Sequence, residues 1–177
     1  MTRTDAAAED AGIFLGGWHA ASLEDFAQGR ISWFAYEVSA EFFPHEKASN
    51  NHIISAAECL AVAIAVVLWG PDLMQSDSRV TVLGSDKWYS SSENLSAALF
   101  CLVKACIFRN LRLNLSWVAG KENALADALS RMKVDPSAKS ALQWLASESR
   151  SAGRADDEIL KEVLPDVARH LTRLELG

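Results

Sequence analysis

Apolar and polar residues alternate along residues 111–117, a period of two that is typical of a strand with one face on a core. Three further runs, rich in β-branched or aromatic residues, predict strands at residues 13–18, 31–38 and 79–83. The first two of these runs are neighbours in the chain, which predicts an antiparallel pair. The order leaves room for a further strand at the very start.

Between these runs the apolar residues recur at helical spacing. One helix is predicted at residues 52–69, where Gly70-Pro71 is a strong stop signal, and another at residues 91–110. A third follows Gly120, because Leu125, Leu129 and Met132 fall on one face. The resulting succession of strands and helices predicts an α/β fold, a mixed sheet with helices packed on it.

The length of 177 residues favours one domain with an appendage, which we place at residues 1–132 and 133–177. The appendage is expected to be helical. Its last part, residues 156–176, is amphipathic, and Pro165 should kink it or divide it in two.

The composition is that of a globular protein, with 50% hydrophobic and 23% charged residues. The most apolar run, residues 56–69, is too short to span a bilayer and contains Glu58, so no membrane partner is expected. The three cysteines lack metal-ligand spacing and fit small buried residues in a reducing compartment. We therefore expect an intracellular protein of the cytoplasm or nucleus.

The chain carries 17 basic and 23 acidic residues, a net charge of −6. This sign excludes a protein that holds nucleic acid by bulk electrostatics alone. A local basic patch, bound metal ions or a neighbouring domain would have to supply the positive charge.

Acidic residues stand where predicted elements begin or end, and four of them are candidates for chemistry: Asp5, Glu58, Asp86 and Asp127. Three of them also have a structural alternative, and for Asp5 it is a disordered acidic terminus. Glu58 could close a capping box with Ser55, and Asp86 could be a turn residue or a helix cap. Asp127 lies near the apolar side of its helix, where a carboxylate is costly unless it is paired or holds a metal.

Residues 117–131 contain a polar turn followed by a helix, and seven positions in it form a pattern: Gly120, Asn123, Ala126, Asp127, Leu129, Ser130 and Arg131. The pattern resembles the closing motif of the ribonuclease H domain of retrotransposon reverse transcriptases, Gly-x-x-Asn followed by Ala-Asp-x-Leu-Ser-Arg. Three weaker matches precede it in the family's order: Thr4-Asp5-Ala6-Ala7 with Gly12, His52-Ile53 with Glu58, and Ser85-Asp86.

The resemblance implies an RNase H-like fold, a five-stranded mixed sheet of three antiparallel strands followed by alternating helices and strands. It implies that Asp5, Glu58, Asp86 and Asp127 are catalytic and hold two Mg²⁺ (or Mn²⁺) ions. The expected activity is hydrolysis of the RNA strand of an RNA–DNA hybrid. The expected partners are that hybrid and an adjacent reverse transcriptase domain of a parent polyprotein.

Four residues are candidates for contact with nucleic acid: Lys87, Trp88, Lys121 and Asn123. For Trp88 and its neighbour Tyr89, packing in the core or a loop is an equally good interpretation. For Lys121 and Asn123 the alternative is a simple turn.

The chain also departs from the family's pattern. Only four residues precede Asp5, so the first strand is expected to be truncated or the chain to be part of a longer polyprotein. Glu9 or Asp10 could substitute for Asp5, although their spacing is poorer. Lys87 stands where the family usually has Asn.

Two other functions remain open. A catalytically inactive RNase H-like scaffold or nucleic-acid-binding domain would suit the acidic net charge and a short first strand. An integrase-type nuclease would need three acidic residues, the last often Glu, which suits Asp127 less well.

Overall fold

The computed structural model describes residues 1–43, 50–88, 90–147 and 153–176. The sequence also predicts a polar loop at residues 44–51 and a linker at residues 149–155, and both of these and Tyr89 lie wholly or partly outside the described ranges. The strands of the described residues are β1 Thr2–Glu9, β2 Gly12–His19, β3 Ser32–Val38, β4 Leu73–Ser76, β5 Asn114–Trp117, β6 Gly153–Arg154 and β7 Leu171–Arg173. The helices are α1 Leu23–Ala27, α2 Asn50–Trp69, α3 Arg79–Lys87, α4 Glu93–Arg109, α5 Ala124–Arg131, α6 Pro136–Ala141, α7 Gln143–Ser147, α8 Glu158–Val163 and α9 Pro165–Ala168.

The sheet is mixed, in the order β5-β4-β1-β2-β3-β6, with β7 pairing on β3 as well. Strands β1, β2 and β3 form an antiparallel meander, whereas β4 is parallel to β1 and β5 is parallel to β4. The α/β class and the mixed sheet flanked by helices are therefore confirmed. The sheet has more strands than the expected five, because the short β6 and β7 join it at β3 beyond β1 to β5.

The first strand is longer than its place in the chain suggested. β1 has eight residues and pairs with β2 over its whole length, from Thr2 opposite His19 to Glu9 opposite Gly12. Asp5 therefore lies in the middle of a fully paired strand. The strand that carries Asp5 is therefore of ordinary length, and it is paired with β2 at all eight of its residues.

The strand predicted at residues 79–83 is also wrong. These residues form the first half of α3, and the strand lies earlier, at β4. The β-branched residues of this stretch favoured a strand, but Ser78 begins a helix by accepting a hydrogen bond from the Thr81 amide. Tertiary context and the N-cap outweigh the intrinsic preference of valine and threonine.

Helices cover both faces of the sheet and define two cores. α2 is almost wholly buried from Ala56 to Val67 because it lies between the sheet and α4. α5 packs on the opposite face, across β1 and β2. The second core contains Ala7, Phe14 and Leu129, whereas Ala6 and Leu15 belong to the first. Alternate residues of β1 and β2 thus face different helices.

The C-terminal segment is less helical than predicted. Pro165 does divide it, into α8 and α9, but the chain then enters β7, which pairs antiparallel with β3. The unpaired edge of β3 explains this outcome, because its backbone groups need partners. A tail clamp of three side chains reinforces the contact: Asp157 accepts hydrogen bonds from the Tyr36 hydroxyl and from Arg173.

None of the helices in the described ranges combines the length and apolar character needed to cross a membrane.

Candidate metal centre

The candidate centre lies where β4 ends and β1 continues. β4 pairs with β1 as far as Ser76 opposite Thr4, and the chain then turns away at Asp77. Beyond Thr4, the next backbone amide on that edge of β1 belongs to Ala6, and β4 no longer reaches it. This amide donates instead to Glu58 Oε1 at 3.1 Å. A carboxylate from α2 therefore fills the gap that opens between the two strands.

Three carboxylates converge in this gap: Asp5 from β1, Glu58 from α2 and Asp77 from the end of β4. One potential ligand atom of each lies within 4.8 Å of the others. Asp5 and Glu58 are only 4% and 6% exposed. Glu58 Oε2 and Asp77 Oδ1 are buried and have no hydrogen-bond partner within the part of the chain that the structure describes. Buried polar atoms are normally paired, so these two oxygens are available to a polar or charged partner.

The cluster is electrostatically crowded. Burial raises the pKa of Asp5 to about 7; a hydrogen bond from Ser130 acts in the opposite direction, and the charges of Asp77 and Asp127 add to the rise. Burial also raises the pKa of Glu58 well above its usual range, and Asp5 and Asp77 raise it further. Like charges in a poorly hydrated site disfavour ionisation, and a bound cation would reverse that preference.

The donor set suits a hard divalent cation. Mg²⁺ takes oxygen ligands at about 2.1 Å in octahedral geometry, so two of its ligands lie roughly 3 to 4 Å apart. The separations of up to 4.8 Å in the cluster are close to this range. All three residues are carboxylates, and two of their oxygens are buried without a partner. The cluster therefore fits a metal ion by chemistry and approximately by size.

Asp127 lies on the outer side of this cluster. Its side chain is 47% exposed and its Oδ1 accepts from Arg131 Nε at 2.8 Å. Arg131 also reaches Glu9 Oε1 at 2.7 Å. Asp127 is thus partly solvated but paired, and it lies near enough to raise the pKa of both Asp5 and Glu58. Glu9 and Asp10, the substitutes considered for Asp5, are exposed at the end of β1.

Asp86 does not join the cluster. It is exposed near the end of α3, about 12 Å along that helix from its N-cap. The position predicted for it, at the carboxyl end of a strand beside β1, is occupied by Asp77. The prediction of Asp86 followed from the strand predicted at residues 79–83. Because the strand is β4 instead, the aspartate that follows its end is Asp77.

Two features of the sequence could have placed Asp77 at the end of a strand. Gly70-Pro71 ends α2, and connections in α/β units are usually two to six residues, so the next strand should begin soon afterwards. Ser78 is also a good N-cap residue, which places the helix start directly after Asp77. The four-residue β4 is too short to show a clear period of two.

The four candidates for nucleic-acid contact differ in exposure. Lys87 and Trp88 are exposed at the C-terminal end of α3, where Trp88 is in the left-handed region with φ 59°. Lys121 is exposed in the short 3-10 turn before α5. Asn123 is buried, and its Nδ2 donates to the Thr4 carbonyl at 2.9 Å. Its contacts fit the alternative of a structural turn residue that fastens the motif to β1 beside Asp5.

The chain matches no known protein-family model, and no curated protein sequence matches it either.

Proposed function

We propose that this chain is a metal-dependent ribonuclease of the RNase H type, which hydrolyses the RNA strand of RNA–DNA hybrids. The observation that carries the proposal is the convergence of Asp5 from the middle of β1, Glu58 from α2 and Asp77 from the end of β4, where two buried oxygens lack a hydrogen-bond partner among the described residues. The resemblance of residues 117–131 to the closing motif of retrotransposon ribonuclease H domains supplies the reaction class.

Each carboxylate has a distinct part in the proposal. Asp5 and Glu58 are the buried ligands, fixed by β1 and by the Ala6 amide. Asp77 is the third ligand and comes from the loop after β4. The more exposed Asp127 would bind metal on the side of the cluster that faces the substrate. Two bound divalent ions, Mg²⁺ or Mn²⁺, would supply an activated water and stabilise charge on the leaving oxygen. Arg131, which pairs with Asp127, limits how far that carboxylate can turn.

The substrate assignment rests on the motif and on the local charge. The net charge of −6 disfavours binding by bulk electrostatics, whereas exposed basic residues flank the cluster: Arg79 at the start of α3 and Lys121 in the turn before α5. Recognition of a hybrid depends on backbone shape and 2′-hydroxyls more than on base sequence, so a few positioned contacts suffice. An adjacent reverse transcriptase domain would supply further contacts.

A cleavage assay tests the proposal. The purified chain is incubated with a hybrid whose RNA strand is labelled, with Mg²⁺, with Mn²⁺ or with EDTA. Labelled duplex DNA and double-stranded RNA serve as substrate controls. We expect cleavage of the hybrid alone, and only with a divalent cation. Asp5→Asn, purified in parallel, should be inactive and so controls for nucleases carried over from the expression host.

The matched pair Asp77→Asn and Asp86→Asn locates the site. We expect the first variant to lose at least ~100-fold in rate, because changing a residue that only supports a metal ligand already costs roughly 10–100-fold, and Asp77 would be a ligand itself. The second should cleave like the wild type. A hybrid that stays intact with both cations would end the enzymatic proposal, and binding of the hybrid without cleavage would favour the inactive scaffold.

A further inference from the structure

Ser130 makes a contact that no element of the proposed function yet explains. It is completely buried on α5, and its hydroxyl donates to Asp5 Oδ2 at 2.5 Å. The same hydroxyl lies 2.9 Å from the Asp127 carbonyl oxygen. A serine has one hydroxyl proton to donate. The Asp5 carboxylate oxygen is the stronger acceptor of that proton, because its contact is shorter and charge-assisted. The backbone contact is one that buried helical serines make anyway, as Ser85 does with the Val82 carbonyl.

Gly16 allows this contact. It lies opposite Asp5 in the pairing of β1 with β2, directly beneath α5. A Cβ at this position would overlap the Ser130 backbone nitrogen and lie 2.7 Å from the Ala126 carbonyl oxygen. The helix therefore rests on the bare backbone of β2, and no side chain separates it from the sheet beside Asp5. Only this close approach brings a serine hydroxyl within reach of the carboxylate.

We propose that Ser130 is a positioning residue for the metal site, which holds Asp5 Oδ2 and turns the other oxygen of that carboxylate toward the cations. Gly16 supports it by setting the distance of α5 from β1. The inference deepens the proposed function and rests on it. A carboxylate whose orientation is fixed before binding loses less conformational freedom when the metal arrives, so the hydroxyl should strengthen metal binding.

Mn²⁺ binding without substrate tests this role. Isothermal titration of the full chain with Mn²⁺ compares the wild type with Ser130→Ala and Ser130→Cys. Ser85→Ala is the matched control, because Ser85 is also a buried helical serine with the same type of backbone contact but no carboxylate. We expect Ser130→Ala to weaken Mn²⁺ binding about 10-fold and Ser85→Ala to leave it unchanged. Ser130→Cys, a weak donor of similar shape, should fall between them.

Kinetics on the labelled hybrid give a second readout. At saturating Mn²⁺, kcat of Ser130→Ala should fall about 10-fold while KM for the hybrid stays within twofold, since the hydroxyl does not face the substrate. Equal Mn²⁺ affinity in the wild type, Ser130→Ala and Ser85→Ala would overturn the inference and leave Ser130 a packing residue. A wild type that binds no Mn²⁺ would overturn both the inference and the proposed function. Weakened Mn²⁺ binding in a chain that never cleaves would uphold the positioning role and refute the nuclease alone.

Discussion

Replacing Asp77 by Asn removes one negative charge from the cluster and keeps the shape of the side chain. The loop should stay in place, because it is held through its backbone: Trp117 Nε1 donates to the Asp77 carbonyl at 3.0 Å, and the Val118 amide donates to the Ser76 carbonyl at 3.0 Å. What the variant loses is a buried oxygen ligand. The substitution therefore separates metal binding from folding.

The size of the effect follows from linkage. A ligand present at about 100 times its dissociation constant stabilises the folded state by about 2.7 kcal/mol. For a chain of 150–250 residues, each kcal/mol raises the melting temperature by about 2–4 °C. We therefore expect saturating Mn²⁺ to raise the melting temperature of the wild type by about 5–11 °C. In Asp77→Asn the rise should be below about 2 °C.

Differential scanning fluorimetry or calorimetry in EDTA and in increasing MnCl₂ measures this difference. NaCl at equal ionic strength is the control, because any salt screens repulsion in a chain of net charge −6. Asp86→Asn is the matched variant and should show the full rise. The reasoning would be refuted if Asp77→Asn kept the rise, or if Asp86→Asn lost it.

Three further predictions concern the metal-free chain. The pKa of Asp5 is raised from 3.8 to about 7 in the folded state, so its penalty is absent below pH 4 and grows as the pH rises through 7. Unfolding by urea in EDTA should therefore give at least about 2–3 kcal/mol less stability at pH 8 than at pH 5, and Asp5→Asn should reduce this slope, with the part due to the raised pKa of Glu58 remaining; a wild type more stable at pH 8 would contradict it. Gly16→Ala should destabilise by about 2–3 kcal/mol through overpacking against α5. Gly84→Ala lies inside α3, where the added Cβ would make only an ordinary contact with Leu99 at 3.8 Å, and it should stabilise by about 0.5–1 kcal/mol; equal effects in thermal melts would contradict the close approach. Arg173→Met removes the cationic partner of the buried Asp157, which keeps only the hydrogen bond from the Tyr36 hydroxyl, at a cost of about 2–3 kcal/mol. Arg169→Met loses only an exposed pair and should cost below about 1 kcal/mol; urea midpoints that do not differ would show that the clamp contributes little.

The sequence was informative where periodicity and motif agreed. The alternation in residues 111–117 corresponds to β5 and the stretch leading into it, and Gly70-Pro71 ends α2 where predicted. The closing motif proved to be more than a local pattern, because its members fasten α5 to β1 beside Asp5. Asn123 does this through the Thr4 carbonyl, and Ser130 through the carboxylate itself.

The sequence was misleading where a strand is short and the helix after it has a strand-like composition. β4 has four residues, and only Met74 among them is a buried hydrophobic residue. The following Val80-Thr81-Val82 has the composition of a strand but folds as a helix after the Ser78 cap. The contact between Gly16 and α5 could not be predicted from the sequence either, because it depends on the pairing of β1 with β2 and on the helix that crosses them.

An anomalous-scattering map from a crystal soaked in Mn²⁺ tests the central claim most directly. We predict a peak between Asp5, Glu58 and Asp77, with Glu58 Oε2 and Asp77 Oδ1 among the nearest oxygens. A fully soaked crystal with no peak there, or with its strongest peak at Asp86, would contradict the account.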